Sequence, residues 1–147
     1  MCAPAPLGET YVAALQHGLV DVPTDTTLVG VVSRPTHWFG AAVDENRPAL
    51  GPPGTLLDDV EQRREDLKRR GICDEGAHNA AWEDVEFEER YRTHLDTDPD
   101  ARDAVDELVD RLRAGEPLFL VCFENTAQKR CHRTLLREHV TARLDRG

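Results

Sequence analysis

The run Leu118–Cys122, LFLVC, constrains this chain more than any other segment. It is short, apolar and bounded by polar residues, so it reads as a buried strand. A polar loop follows, then the triplet Cys131-His132-Arg133, then an amphipathic stretch that reads as a helix. That order places Cys122 and Glu124 where the strand ends, and Cys131, His132 and Arg133 where the helix begins. In open α/β sheets the crevice beyond the carboxyl ends of the strands is where ligands bind. A thiol, an imidazole, a guanidinium and a carboxylate are therefore expected together, able to do chemistry or to hold an anion.

The rest of the chain supports an α/β reading. Residues 9–19 carry Val12, Leu15 and Leu19 at helical spacing. Residues 27–33, TLVGVVS, are β-branched and apolar and predict a strand broken by Pro35. Residues 36–54 show no periodicity and predict a long surface loop ending in GPPG. A helix is expected from Thr55 to a glycine stop at Gly71, with a third strand near Ile72 and a second loop at 73–77. Asn79 is expected to cap a helix carrying Phe87, Tyr91 and Leu95. Asp98-Pro99 opens the next one, which buries Val105, Leu108, Val109 and Leu112 and closes at Gly115. The last helix carries Leu136, Val140 and Leu144. The order α-β-loop-α-α-α-β-α predicts one domain over residues 1–147. Its fold class is a three-layer, Rossmann-like α/β unit with a small, mainly parallel sheet flanked by helices.

Charge narrows the partners. Asp and Glu number 28 against 18 basic residues, for a net charge of −10, and only Lys68 and Lys129 are lysines. Such a balance disfavours long-range attraction to phosphate backbones and membranes. A surplus of acids with arginine in place of lysine resembles proteins of salt-loving archaea, whose self-repulsion is screened where the Debye length falls to about 3 Å. No apolar stretch is long enough for a membrane span. The start MCAPAPLGET has neither the basic nor the apolar region of a secretory signal. Cys2, Cys73, Cys122 and Cys131 are too few and too scattered for a disulfide framework, so a reducing cytoplasm is expected.

The C-terminal cluster has several readings. A cysteine at a helix N-terminus, flanked by Arg130 and Arg133, is expected to have a lowered pKa and to react readily at Cys131. His132 would carry a proton near neutrality, Glu124 would orient it, and Arg34 and Arg133 would hold an anionic substrate. Cys122 is the other candidate for the reactive thiol, and equally a core residue by type. A loop that cradles an anion and closes with arginine six residues after its cysteine is not matched, since that position is Gln128. No cofactor is expected. Zinc on Cys122, Cys131 and His132 is the alternative, though adjacent ligands suit one tetrahedral ion poorly.

The motif Cys-x-Glu followed by Cys-His-Arg, at Cys122, Glu124, Cys131, His132 and Arg133, resembles the signature of domain-of-unknown-function family 488. The stretch WEDVEFEERYRTHL is similar to that family's aromatic helix, and LVGVVSRPTHWF to its first strand and following turn. The usual acid near that strand's end is replaced by Gly30, Val31 and Val32. The whole sequence resembles a haloarchaeal branch. The resemblance implies an α/β fold and a shared pocket around the two elements, but no reaction. Three functions remain open: an enzyme on a phosphate-bearing or other anionic small molecule, such as a nucleotide; a non-catalytic nucleic-acid-associated domain using Lys129, Arg130, Arg133 and Arg137; and a redox or zinc protein built on Cys122 and Cys131.

Overall fold

The computed structural model describes residues 5–123 and 130–146. Its centre is β4 (Leu118–Cys122), the predicted apolar strand, with Leu118, Leu120, Val121 and Cys122 all buried. Two strands flank it, β1 (Leu7–Tyr11) and β2 (Thr27–Gly30), and β3 (Glu45–Asn46) completes the order β1-β4-β2-β3. Every pairing is parallel. A parallel strand buried on both faces reads as a continuous apolar run, which is why β4 stood out.

Helices flank this sheet. After β1 the chain turns into α1 (Val12–Gln16), and α2 (His37–Ala42) packs against α1. Then come α3 (Gly54–Arg69), α4 (Asp74–Asp84), α5 (Phe87–Thr97) and α6 (Pro99–Arg113), and α7 (His132–Arg146) lies on β1 and β4. Most buried apolar side chains, from Leu7 to Val140, form one continuous core. The expected stops and caps are present: Asp98 accepts from Ala101 N at 3.0 Å, and Gly71 and Gly115 take φ of 91° and 96°.

Four expectations are corrected. Residues 9–19 are not one helix, because residues 7–11 pair with β4 and only residues 12–16 coil. Long-range pairing overrides the helical spacing, and Leu19 is left exposed. Residues 36–54 are not a surface loop. They contain α2, β3 and a 3₁₀ turn at Pro48–Leu50, and they bury Phe39 and Leu50 fully. Ile72 is no strand residue, since its N–H closes the end of α3 on Leu67 O at 3.2 Å. Residues 74–77 already belong to α4, so Asn79 lies inside that helix and Cys73 caps it, its sulfur accepting from Gly76 N at 3.4 Å.

Gly30 shows how tightly the strand ends are packed. A Cβ there would lie 2.6 Å from Asn46 Oδ1 and 2.7 Å from the Phe39 ring. Asn46 extends the sheet with its side chain, accepting from Val32 N at 3.2 Å and donating to Val32 O at 3.0 Å. Gly30→Ala would push Asn46 off the Val32 backbone. Chemical denaturation should show a loss of about 1–3 kcal/mol, the usual cost of overpacking.

Candidate active site

Strands β1, β4 and β2 end almost level, with Tyr11 beside Cys122 and Gly30 beside Val121. Over that edge sits the Cys-His-Arg triplet, and each of its side chains reaches a different strand. Cys131 Sγ lies 2.7 Å from Cys122 Sγ, at the end of β4. His132 Nε2 donates at 2.5 Å to Val31 O, just beyond β2. Arg133 Nη1 donates to Thr10 O of β1 and lies 3.2 Å from Cys122 Sγ, while Nη2 is 3.8 Å from Glu9 Oε1. All three are buried, Arg133 with 1% of its surface exposed.

This burial changes the expected chemistry. A carbonyl only accepts, so the His132 proton is on Nε2 and the Nδ1 lone pair faces Cys131 Sγ at 3.7 Å. Burial, with Arg133 adding to it against the opposing bond to Val31, pushes His132 down to about 4. The ring is therefore neutral at pH 7 and does not carry a proton near neutrality as the sequence suggested. Cys131 is corrected in the same way. Burial and the neighbouring Cys122 sulfur push its thiol well up, and Arg133 only partly opposes them. Two thiols at this distance titrate as a pair, and the Arg133 guanidinium lies against the Cys122 sulfur.

Cys122, Cys131 and His132 form the inner end of a cavity of about 200 Å³. Trp82 and Phe87, stacked at 3.8 Å, line it, as does Phe123. Arg34, Arg64 and Arg130 also line it. Arg34 thus reaches the predicted crevice, but it is 55% exposed and pairs with Asp58 at 3.2 Å. Arg130 pairs with Glu83 at 2.9 Å. Arg133 is not a lining residue. Its guanidinium lies behind the sulfurs, held by strand-end acceptors, so the expected anion holder becomes a support for Cys122. Glu124 lies outside the described residues.

Sequence reasoning missed α4 and α3 as contributors. His78 Nε2 donates to Arg130 O at 2.8 Å, and Asn79 Oδ1 accepts from Arg130 N at 3.1 Å. The two side chains grip both backbone groups of the residue before Cys131. Their adjacency was the only local signal, and it read as a cap. Arg64 on α3 sat in a charged run that resembled any solvated face. Among the described residues no group of three or more His, Cys, Asp or Glu side chains could hold a metal ion. No helix among them is long and apolar enough to cross a membrane.

A family model described as the active DUF488-N3 subclade matches residues 15–144, from within α1 to within α7. The chain belongs to the DUF488 family. No curated protein and no solved structure is significantly similar to it. The DUF488 match spans both Cys122 and the Cys131–Arg133 triplet, while β1, which supplies Thr10 O, precedes the matched residues.

A neutral, buried His132 should register in stability. Above about pH 6.5 both folded and unfolded rings are neutral and its contribution is complete. As pH falls, the unfolded ring takes a proton that the folded ring refuses until about 4. Stability should therefore fall through that window, by on the order of 3 kcal/mol, and level off beneath it. His132→Gln keeps a donor for Val31 O but does not titrate. Denaturation curves for the two proteins should differ in slope with pH across that window.

Proposed function

We propose that this DUF488 chain is a thiol enzyme that uses Cys122 to attack a small anionic substrate held in the cavity. The observation that carries this reading is the environment of Cys122 Sγ. It lines the cavity, 3.2 Å from the Arg133 guanidinium and 2.7 Å from Cys131 Sγ. A positive charge and a thiol donor on one sulfur stabilise its thiolate, the reacting form. Attack forms a sulfur–substrate bond and expels a leaving group with the electron pair of its bond; water then cleaves the adduct and restores the thiolate. Cys131 serves as the hydrogen-bond donor, not as the nucleophile. Neutral His132 is held by its bond to Val31 O with Nδ1 towards Cys131, and Arg34 guides the anion from the exposed end. A reducing cytoplasm would hold both cysteines as thiols.

A reversible disulfide between Cys122 and Cys131 is the second reading, favoured by the same close approach of the sulfurs. A nucleic-acid surface draws less support. Arg130 is paired with Glu83, Arg133 is buried, and Arg137 donates to Leu7 O at 3.0 Å.

Alkylation by iodoacetamide under reducing conditions, followed peptide by peptide against pH, tests the enzyme reading. Molar salt suits a chain of charge −10 in this assay. Cys122 should react with a midpoint below the ordinary thiol value of about 8.5. Exposed Cys73 is the internal reference. Arg133→Lys, which keeps the charge but loses the planar fork, should raise the Cys122 midpoint. A Cys122 midpoint at or above that of Cys73 removes the enzyme reading. Loss of both Cys122 and Cys131 reactivity after peroxide treatment, restored by a dithiol, would put the disulfide first.

A further inference from the structure

Among the three arginines that line the cavity, Arg64 stands apart. Arg34 and Arg130 each hold a carboxylate, whereas Arg64 has neither a hydrogen bond nor an ion pair among the described residues. Its Nε–H is shielded from solvent without an acceptor. This is unexpected in a chain with 28 acidic residues against 18 basic ones, where a carboxylate for each guanidinium is easily found. A shielded donor on a charged group without a partner is unfavourable, and an incoming oxyanion would satisfy it through the guanidinium fork.

The cavity beside Arg64 is not polar enough for a bare ion. Leu57, Val60, Trp82, Phe87 and Phe123 line it. An apolar cavity of roughly 150 Å³ holds a benzene ring, and this one measures about 200 Å³. One ring with a small substituent therefore fills it, between aromatic walls that favour stacked or edge-on contacts.

We propose that the cavity takes an aromatic or heteroaromatic ring bearing an oxyanion, phosphate or carboxylate, and that Arg64 binds the oxyanion. This rests on the cavity being the substrate site of the thiol enzyme proposed above, and it names that substrate's class. The ring lies along Trp82 and Phe87, and the anionic group meets the Arg64 fork. Arg34 and Arg130, already matched by Asp58 and Glu83, contribute less to affinity. Arg64→Ala should fold normally, since it gives up no hydrogen bond or ion pair seen among the described residues.

Calorimetric titration with phenyl phosphate, benzoate and inorganic phosphate, all at one salt concentration, tests this. Phenyl phosphate or benzoate should bind at least about tenfold more tightly than inorganic phosphate, because only they bury a ring. Whichever of the two binds better identifies the anionic group. Arg64→Ala should weaken that ligand by at least about tenfold, with Arg64→Lys between the two proteins and all melting temperatures alike. Arg34→Ala should weaken it less than Arg64→Ala does. Equal affinity for inorganic phosphate and both ring compounds would overturn the ring assignment. Unchanged affinity in Arg64→Ala would overturn the role of that arginine. The titration and the Cys122 alkylation profile are separate measurements, so a normal thiol midpoint removes the enzyme while ring binding through Arg64 stands or falls by calorimetry.

Discussion

The structure depends on one arrangement, the lacing of three strand ends by three consecutive side chains. Parallel strands that stop level leave their last carbonyls without ladder partners, and those groups must be satisfied if they are buried. His132 takes Val31 O and Arg133 takes Thr10 O, while Cys131 closes on Cys122. The motif that looked catalytic is thus first a fastening between α7 and the sheet. Fastening and chemistry need not compete. A guanidinium drawn into the core to meet a strand-end carbonyl is also placed against the Cys122 sulfur, as a by-product of how the sheet is finished.

The same burial sorts the titrating groups. His132 and Cys131 are pushed in opposite directions, the imidazole down and the thiol up, because burial disfavours the charged form of each. Tyr91, fully buried and edge-on to His132 at 5.4 Å, is pushed up by burial and by the two cysteines. The site thus sets a neutral imidazole and a neutral thiol beside the Arg133 cation, which also faces the Glu9 carboxylate at 3.8 Å. Further out the charges are already matched, as in the Arg111 network with Glu45 at 2.6 Å and Glu116 at 2.5 Å.

What was legible in the sequence follows from range of interaction. Strand β4, the Asp98-Pro99 cap and the stops at Gly71 and Gly115 are set by nearby residues, and each could be read directly. The meeting of Cys122 with the Cys131–Arg133 triplet was also legible, because one strand, one loop and one helix bring them together. Strand β1 was hidden, since only its pairing with a segment over a hundred residues later makes it extended. Burial of residues 36–54 was hidden for a similar reason: Phe39 packs on Phe123 at 4.7 Å, and Tyr91 reaches back to Leu50 O at 2.5 Å. The protonation states were misjudged because a helix start next to arginines reads as exposed and electropositive. Depth, not sequence, decided them.

The strand order carries a consequence for how the molecule comes into being. Strands β1 and β2 are near neighbours in sequence but never pair, because β4 lies between them. Of the described strands the one in the middle of the sheet is made after the others, and α7 with its triplet comes later still. Until then the two early strands have no common partner, and they must wait while β3 and helices α2 to α6 are made. Contacts this distant are slow to form and leave unpaired strands open to wrong partners. A nascent or truncated chain therefore holds no half-built site that could act prematurely. The thiol pair is assembled in the same event that completes the sheet.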